Sequence, residues 1–259
     1  MSTKRHIPFH GYGRGQVRTL AWKYAPDERI ALHNHRWHQL IYAIAGVMTI
    51  ETANGIWIVP THRGVWVPAR VDHAIKMSGA VDMRTLYFSP RLALESVGDC
   101  RVLSISPLVR ELLLYTIELG SLDRRVATQR PVLELLLDRI AALPVASLQL
   151  PQVRDPRALK IARRVLADPG ERAQLAALAK QSGGSKRTIE RAFKLDTGMT
   201  FGRWRQHARL VHALRLLAAG KSVTSVALEV GYDSVSAFVS GFRKAFGRTP
   251  GRYYSDEDR

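Results

Sequence analysis

The chain has 259 residues, 46% of them apolar and 24% charged, with a formal net charge of +17. That length allows two domains, each with its own core, and the apolar share excludes a disordered tail. The single cysteine, Cys100, excludes an intrachain disulfide and a multi-cysteine zinc site, and fits a reducing cytosol. The first residues, MSTKRHIPFHGYG, carry basic groups with no apolar run behind them, so no secretory signal is expected, and no stretch of eighteen apolar residues occurs, so no membrane span is expected. The charge is uneven: from Pro151 onward 21 Lys/Arg face 10 Asp/Glu, a balance of +11, against +6 before it. A basic second half points toward a polyphosphate, where counterion release supplies much of the affinity. An anionic membrane surface would compete, but no helix pairs a basic face with exposed aromatics, so DNA is favoured.

From about Gln16 to Ser89 the pattern is β. Val17–Tyr24, Gln39–Ala45, Val47–Thr52, Ile56–Val59 and Val81–Phe88 are short runs rich in Val, Ile and aromatics, and Asn54-Gly55 reads as a type I′ hairpin turn. Six to eight such strands predict a small barrel or jelly roll. Two pieces resemble the motifs of cupin barrels: His33-Asn-His35-Arg-Trp-His38-Gln39, and Gly64-Val-Trp66-Val-Pro68 followed by His73. In metal-binding cupins these motifs supply three histidines and a glutamate, which by position fall on His33, His35, His73 and Gln39. Residues two apart on a strand share a face, so His33 and His35 can converge, whereas His38 points away. Gln39 supplies no negative charge, yet three imidazoles suit a divalent transition metal such as zinc, iron, nickel or copper. Regulators with such barrels commonly keep them as metal-free sensor pockets. The histidines therefore either hold a metal, bond within the barrel or touch an effector. The candidate effector pocket is His33, His35, Gln39, Tyr42, Trp66 and His73. Tyr42 and Trp66, like Trp37 and Trp57, can equally be plain core.

Pro107–Leu119 and Arg130–Leu143 read as helices. The first has Leu108, Leu112, Tyr115 and Leu119 on one stripe with Leu113 and Ile117 off it, and the second has apolar residues at nearly every turn. Apolar groups on more than one face predict burial on two sides, against the barrel and against either the same chain or a partner subunit. Three prolines interrupt the pattern between Pro144 and Pro156, the expected linker. Asp155 then caps a helix with Pro156 at its first position, and a further helix is expected over about Arg172–Gln181.

Two helix-turn-helix patterns follow at an offset of 49 residues. In the later one Ser222 and Ser234 are N-cap residues, Gly231 lies in the turn, and Phe238, Gly241, Phe242, Ala245 and Phe246 share the inner side of the second helix. In the earlier one Ser185, Ile189, Phe193 and Gly198 match Ser234, Phe238, Phe242 and Gly247. Between them Phe201–Ala219 predicts a long helix with Thr200 as cap and an apolar stripe through Trp204, Ala208, Val211 and Leu214.

The last hundred or so residues resemble the DNA-binding domain of the AraC/XylS family of bacterial transcription regulators. Ala227, Gly231-Tyr232, Ser234, Phe238, Phe242, Gly247, Thr249-Pro250 and Tyr253 carry the match, with Ser185, Phe193 and Gly198 upstream. The resemblance implies an all-β cupin-like sensor barrel with following helices (residues 1–100 and 101–143), a linker (144–154) and an all-α domain of two helix-turn-helix units joined by a long helix (155–259). It implies base contacts at Arg187, Glu190 and Arg191 and at Val235, Ser236, Val239 and Ser240, with Lys186, Lys194 and Arg243 as further DNA-binding residues. Arginine can fork a guanine and glutamate can accept from cytosine, whereas the second set can touch only a thymine methyl or a phosphate. The implied partners are double-stranded DNA, a small-molecule effector, a second copy of the chain and RNA polymerase, all in the cytoplasm. No catalytic constellation is visible, so no enzyme activity is expected. Two other readings stay open: a metal-dependent cupin enzyme tethered to a DNA-binding tail, and an architectural DNA binder indifferent to sequence.

Overall fold

Among the described residues, seven strands precede the first helix: β1 (Val17–Tyr24), β2 (Arg29–His33), β3 (His38–Thr52), β4 (Gly55–Pro60), β5 (Arg63–Val67), β6 (His73–Phe88) and β7 (Arg101–Ser104). The structure, a computed structural model, describes residues 15–92, 100–146 and 148–253. The readings of the first fourteen residues therefore lie outside the described part. Contacts divide the chain into one unit of Met1–Thr52 with Val59–Ser147 and another of Ala53–Ile58 with Leu148–Arg259.

In the first unit α1 (Pro107–Leu119), β8 (Ser121–Leu122), α2 (Arg130–Ala141) and β9 (Val145–Ala146) follow. The sheet runs β8-β1-β6-β3-β5-β7-β9, with β2 also paired to β6. The long ladder of β6 with β3 and β1 sets the faces. Directly opposed residues share a side, so Arg18, Tyr87 and Gln39 form one inward row while Val17, Phe88 and His38 form an outward one. The outward side packs with Val109 and Leu113 of α1 and Leu133, Leu136 and Ile140 of α2 into one apolar cluster. Ser106 caps α1, and Leu108, Tyr115 and Leu119 stay 40–50% exposed on its other side.

Four expectations change here. Gln39–Ala45 and Val47–Thr52 are one strand, bulged between Ala43 and Val47, because Gly46 (φ 81°) brings its Cα so close that a Cβ would lie 2.3 Å from the Ala80 carbonyl oxygen. Asn54-Gly55 is not a type I′ turn: the turn residues are Ala53 and Asn54, and Asn54 lacks the positive φ that type requires. Gly55 serves close approach instead, since a Cβ there would meet the Leu150 carbonyl oxygen at 2.9 Å. The segment 144–154 is not a bare linker. β9 pairs β7, β10 (Gln149–Pro151) pairs β4, and Leu148, Leu150 and Val153 are buried. Proline rules out a helix there but is tolerated at a strand edge. Residues 101–104 likewise belong to the sheet rather than to the helical segment.

The second unit holds α3 (Pro156–Ala167), α4 (Leu175–Gln181), α5 (Lys186–Thr197), α6 (Phe201–Ala218), α7 (Val223–Glu229), α8 (Val235–Phe246) and α9 (Pro250–Tyr253). Five of these starts, those of α3, α5, α6, α7 and α8, carry a capping side chain. Asp155 accepts from Arg157 N and Ala158 N, while Ser185, Thr200, Ser222 and Ser234 accept from the amide three residues on. Gly198 (φ 70°) and Gly247 (φ 79°) end α5 and α8 in the left-handed conformation. α6 buries Leu210 and Ala213 beside the predicted stripe, because helices flank it on more than one side. At Trp204 the indole Nε1 donates to the Pro151 carbonyl at 3.0 Å.

Candidate nucleic-acid interface and effector site

The two helix-turn-helix units are built alike. Gly183 (φ 79°) and Gly231 (φ 80°) turn the chain after α4 and α7, and the amides of Gly184 and Tyr232 close the turns on Ala179 O (2.9 Å) and Ala227 O (3.0 Å). Ile189, Ala192 and Phe193 are buried under α5; Phe238, Phe242 and Phe246 are buried under α8, where Phe242 meets Phe246 at 4.6 Å and Tyr253 at 5.5 Å. Ala245, expected inward, is exposed because the three phenylalanines already fill that side.

On the outer sides Lys186, Arg187, Arg191 and Lys194 of α5 are exposed, as are Ser236, Ser240 and Arg243 of α8, with Val235 and Val239 half-buried. Among the described residues no carboxylate forms an ion pair with Lys186, Arg187, Arg191 or Arg243, whereas Arg157 and Arg164 of α3 are paired with Asp155 and Glu171. Lys194 Nζ donates to the Gly198 carbonyl at 3.0 Å and so caps its own helix. Glu190 faces another way than expected: its carboxylate accepts from Phe201 N at 3.2 Å, at the start of α6. The positive end of that helix draws the carboxylate in.

In the first unit the structure brings His33, His35 and His73 together, with one ligand atom of each within 4.8 Å of the others. His33 ends β2, His35 lies in the following loop and His73 opens β6 opposite His33. Each Nδ1 faces a backbone carbonyl: Ala31 for His33, Trp37 for His35 and Val71 for His73. That leaves Nε2 to converge, the arrangement outer-shell carbonyls impose on metal-binding histidines. Burial, and then the neighbouring His33 ring, holds His73 at about 3, so its imidazole is neutral. Burial also lowers His33. His73 Nε2 is buried without a hydrogen-bond partner.

Gln39 completes the group. Thr85 Oγ1 donates to Leu40 O, so it accepts from Gln39 Nε2 at 3.0 Å, which turns Gln39 Oε1 toward His35 Nε2 at 2.8 Å. Since His35 Nδ1 also faces a carbonyl, two acceptors flank that ring, and a cation shared by Nε2 and Oε1 satisfies both. The donor set thus fits a divalent transition metal: three imidazoles and one amide oxygen.

Tyr42 and Trp66 do not join this cluster. They lie on the outward side, in the core with Val109 and Leu136, and Trp66 rings against Phe88 at 5.3 Å and His38 at 5.5 Å. Positions 39 and 42 differ by an odd number, so a strand must send them to opposite faces. The residues missed are Thr85 and Tyr87; the Tyr87 ring meets His35 edge-on at 5.3 Å. Their alternation on β6 was visible, but only the register places them opposite Ile41 and Gln39.

A pair of like-built helix-turn-helix units with an unneutralised basic face, following a β-unit with a polar cluster inside, defines a DNA-binding regulator with a sensor domain. The AraC-like ligand binding domain matches residues 15–181 and a helix-turn-helix domain matches residues 178–255. The chain belongs to the AraC family of transcription regulators. It is 34% identical over 222 residues to the HTH-type transcriptional regulator NimR of Escherichia coli, covering 86% of this chain and 81% of NimR. The transcriptional regulator RipA of Corynebacterium glutamicum is 26% identical over 214 residues, 83% of this chain and 61% of RipA. Among solved structures, ToxT from Vibrio cholerae is similar at 12% identity with a TM-score of 0.39, covering 92% of this chain and 97% of ToxT. The protein binds DNA, regulates transcription and carries a domain for a small effector. No helix among the described residues is long and apolar enough to cross a membrane.

Proposed function

We propose that this regulator reads its operator mainly with α5. Arg187 and Arg191 fork guanines in the major groove, Lys186 and Lys194 contact phosphate, and Glu190 holds the α5–α6 corner rather than a cytosine. Val235, Ser236, Val239 and Ser240 of α8 touch thymine methyls or phosphates, and Arg243 anchors the backbone. The carrying observation is that Arg187 and Arg191 are exposed and free of carboxylates. Selection of bound duplexes from a random pool, followed by a base-substitution scan, tests this: strong preferences under α5 and weak ones under α8 are expected. Equal preferences, or none, overturn it.

The effector site is the cluster of His33, His35 and His73 with Gln39, and a divalent transition metal suits it. A bound ion would supply a point of positive charge tying the end of β2 to the start of β6. Dialysis of the purified protein against Zn2+, Co2+ or Ni2+ should retain one ion per chain, and His73→Ala should lose it; retention by that variant excludes the cluster. The exposed Leu108, Tyr115 and Leu119 of α1 support a homodimer formed through that face, which Tyr115→Glu should dissociate in sedimentation. A non-catalytic role in the cytoplasm, acting on RNA polymerase at the promoter, fits the family and the lone cysteine.

A further inference from the structure

If the cluster holds a divalent ion, as proposed above, its donors leave the charge of that ion uncompensated. The three imidazoles and the Gln39 amide are neutral in the donor form, and among the described residues no Asp or Glu joins the group. The acid that acts on His73 is Asp72, an exposed rim carboxylate whose Oδ1 accepts from Asn34 Nδ2 at 2.6 Å; it offsets part of the charge from outside and is not one of the donors. A full double charge in a buried site is costly unless an anion accompanies it.

A second cation makes the imbalance larger. Arg18 points to the same inward side as Gln39, from the neighbouring row position beside Tyr87. Its Cζ lies 4.4 Å from the centre of the Trp37 ring, and the carbonyl of Trp37 is the one that fixes His35. Arg18 Nε is buried without a hydrogen-bond partner, and no carboxylate pairs with this guanidinium among the described residues. Arg18 as a whole is half-buried, and its one buried, unmet donor is a group awaiting an acceptor. The inward positions beyond it, Ile41, Ala43, Met48, Ile50, Met77 and Met83, are fully packed and leave no space for a bulky molecule.

We propose that the β-unit takes its metal as an ion pair, with a small organic carboxylate on the ion and Arg18 as the second anchor of that carboxylate. The planar guanidinium fork matches a carboxylate, and the neutral Gln39 in place of an acid is what leaves the position on the ion to an outside anion. The ligand class is therefore a compact mono- or dicarboxylate.

The test uses the full chain loaded with Co2+, whose visible absorption reports its coordination. Oxalate and acetate should shift the spectrum saturably, with chloride and inorganic phosphate ineffective. Arg18→Gln, or Arg18→Lys should the first fail to fold, should weaken the oxalate response about tenfold with Co2+ still bound at one ion per chain. Gln39→Glu should supply the negative charge internally, bind Co2+ more tightly and abolish the response. A Co2+ spectrum indifferent to carboxylates, or an Arg18→Gln response equal to the parent, overturns the anion inference and leaves the metal reading intact. Failure of the parent chain to hold Co2+ overturns both.

Discussion

α5 and α8 have the same frame and opposite surfaces. Each starts at a serine cap, buries a phenylalanine at the eighth residue after that cap and ends on a left-handed glycine. Yet where α5 carries Arg187 and Arg191, α8 carries Ser236 and Ser240, and where α5 carries Glu190, α8 carries Val239. The capping serines, the buried phenylalanines and the terminal glycines answer to packing and capping, which recur in both units. Arg187 and Arg191, like Ser236 and Ser240, face solvent and answer to what docks there, so their divergence is a statement about DNA. Glu190 is held by Phe201 N, and its difference from Val239 belongs to the α5–α6 corner.

That contrast can be broken at several points. Phe193→Ala and Phe242→Ala should each cost about 3–5 kcal/mol of stability in urea denaturation, since both rings are fully buried among other aromatics. If one is tolerated, the two frames are not equivalent. Arg191→Ala should cost about 1–3 kcal/mol of operator affinity and relax preference at one base pair. Its counterpart Ser240→Ala should change affinity by under about 0.5 kcal/mol, because a short hydroxyl cannot fork a base. Equal losses would erase the division of labour. Ser185→Ala and Ser234→Ala should each destabilise by about 1 kcal/mol through the lost cap at 3.1 Å and 3.2 Å, and thermal melts of both compare them directly. Smallest of all, Arg243→Ala should lower the slope of log affinity against log salt by about 1 without changing sequence preference. A changed preference would make Arg243 a base reader.

Local features of the fold were legible where the chemistry is local. The bounds of β1 and α1 coincide with those read from the chain, because a run of β-branched and aromatic residues ends at Ala25-Pro26 and a Ser-Pro start meets a left-handed Gly120. Glycine at 231 was read as a turn residue, but its second duty was hidden: a Cβ there would lie 2.8 Å from Arg209 Nη2, whose guanidinium also holds the Glu171 carbonyl. Three histidines could be nominated from spacing. The pocket drawn around them could not, and Tyr42 and Trp66 were placed on the wrong side by ignoring strand parity. Thr85 and Tyr87 were out of reach for a different reason, since β6 joins the cluster through pairing with a strand more than forty residues away.

From residue order alone came the two helix-turn-helix frames, their caps and the basic outward residues, all properties decided within a few turns of helix. Only the folded chain decided that Glu190 turns to α6, that Val145–Ala146 and Gln149–Pro151 pair as strands, and that Gln39 aims its oxygen at His35. Each of these depends on a partner distant in sequence, and the direction of a hydrogen bond belongs to the pair that makes it.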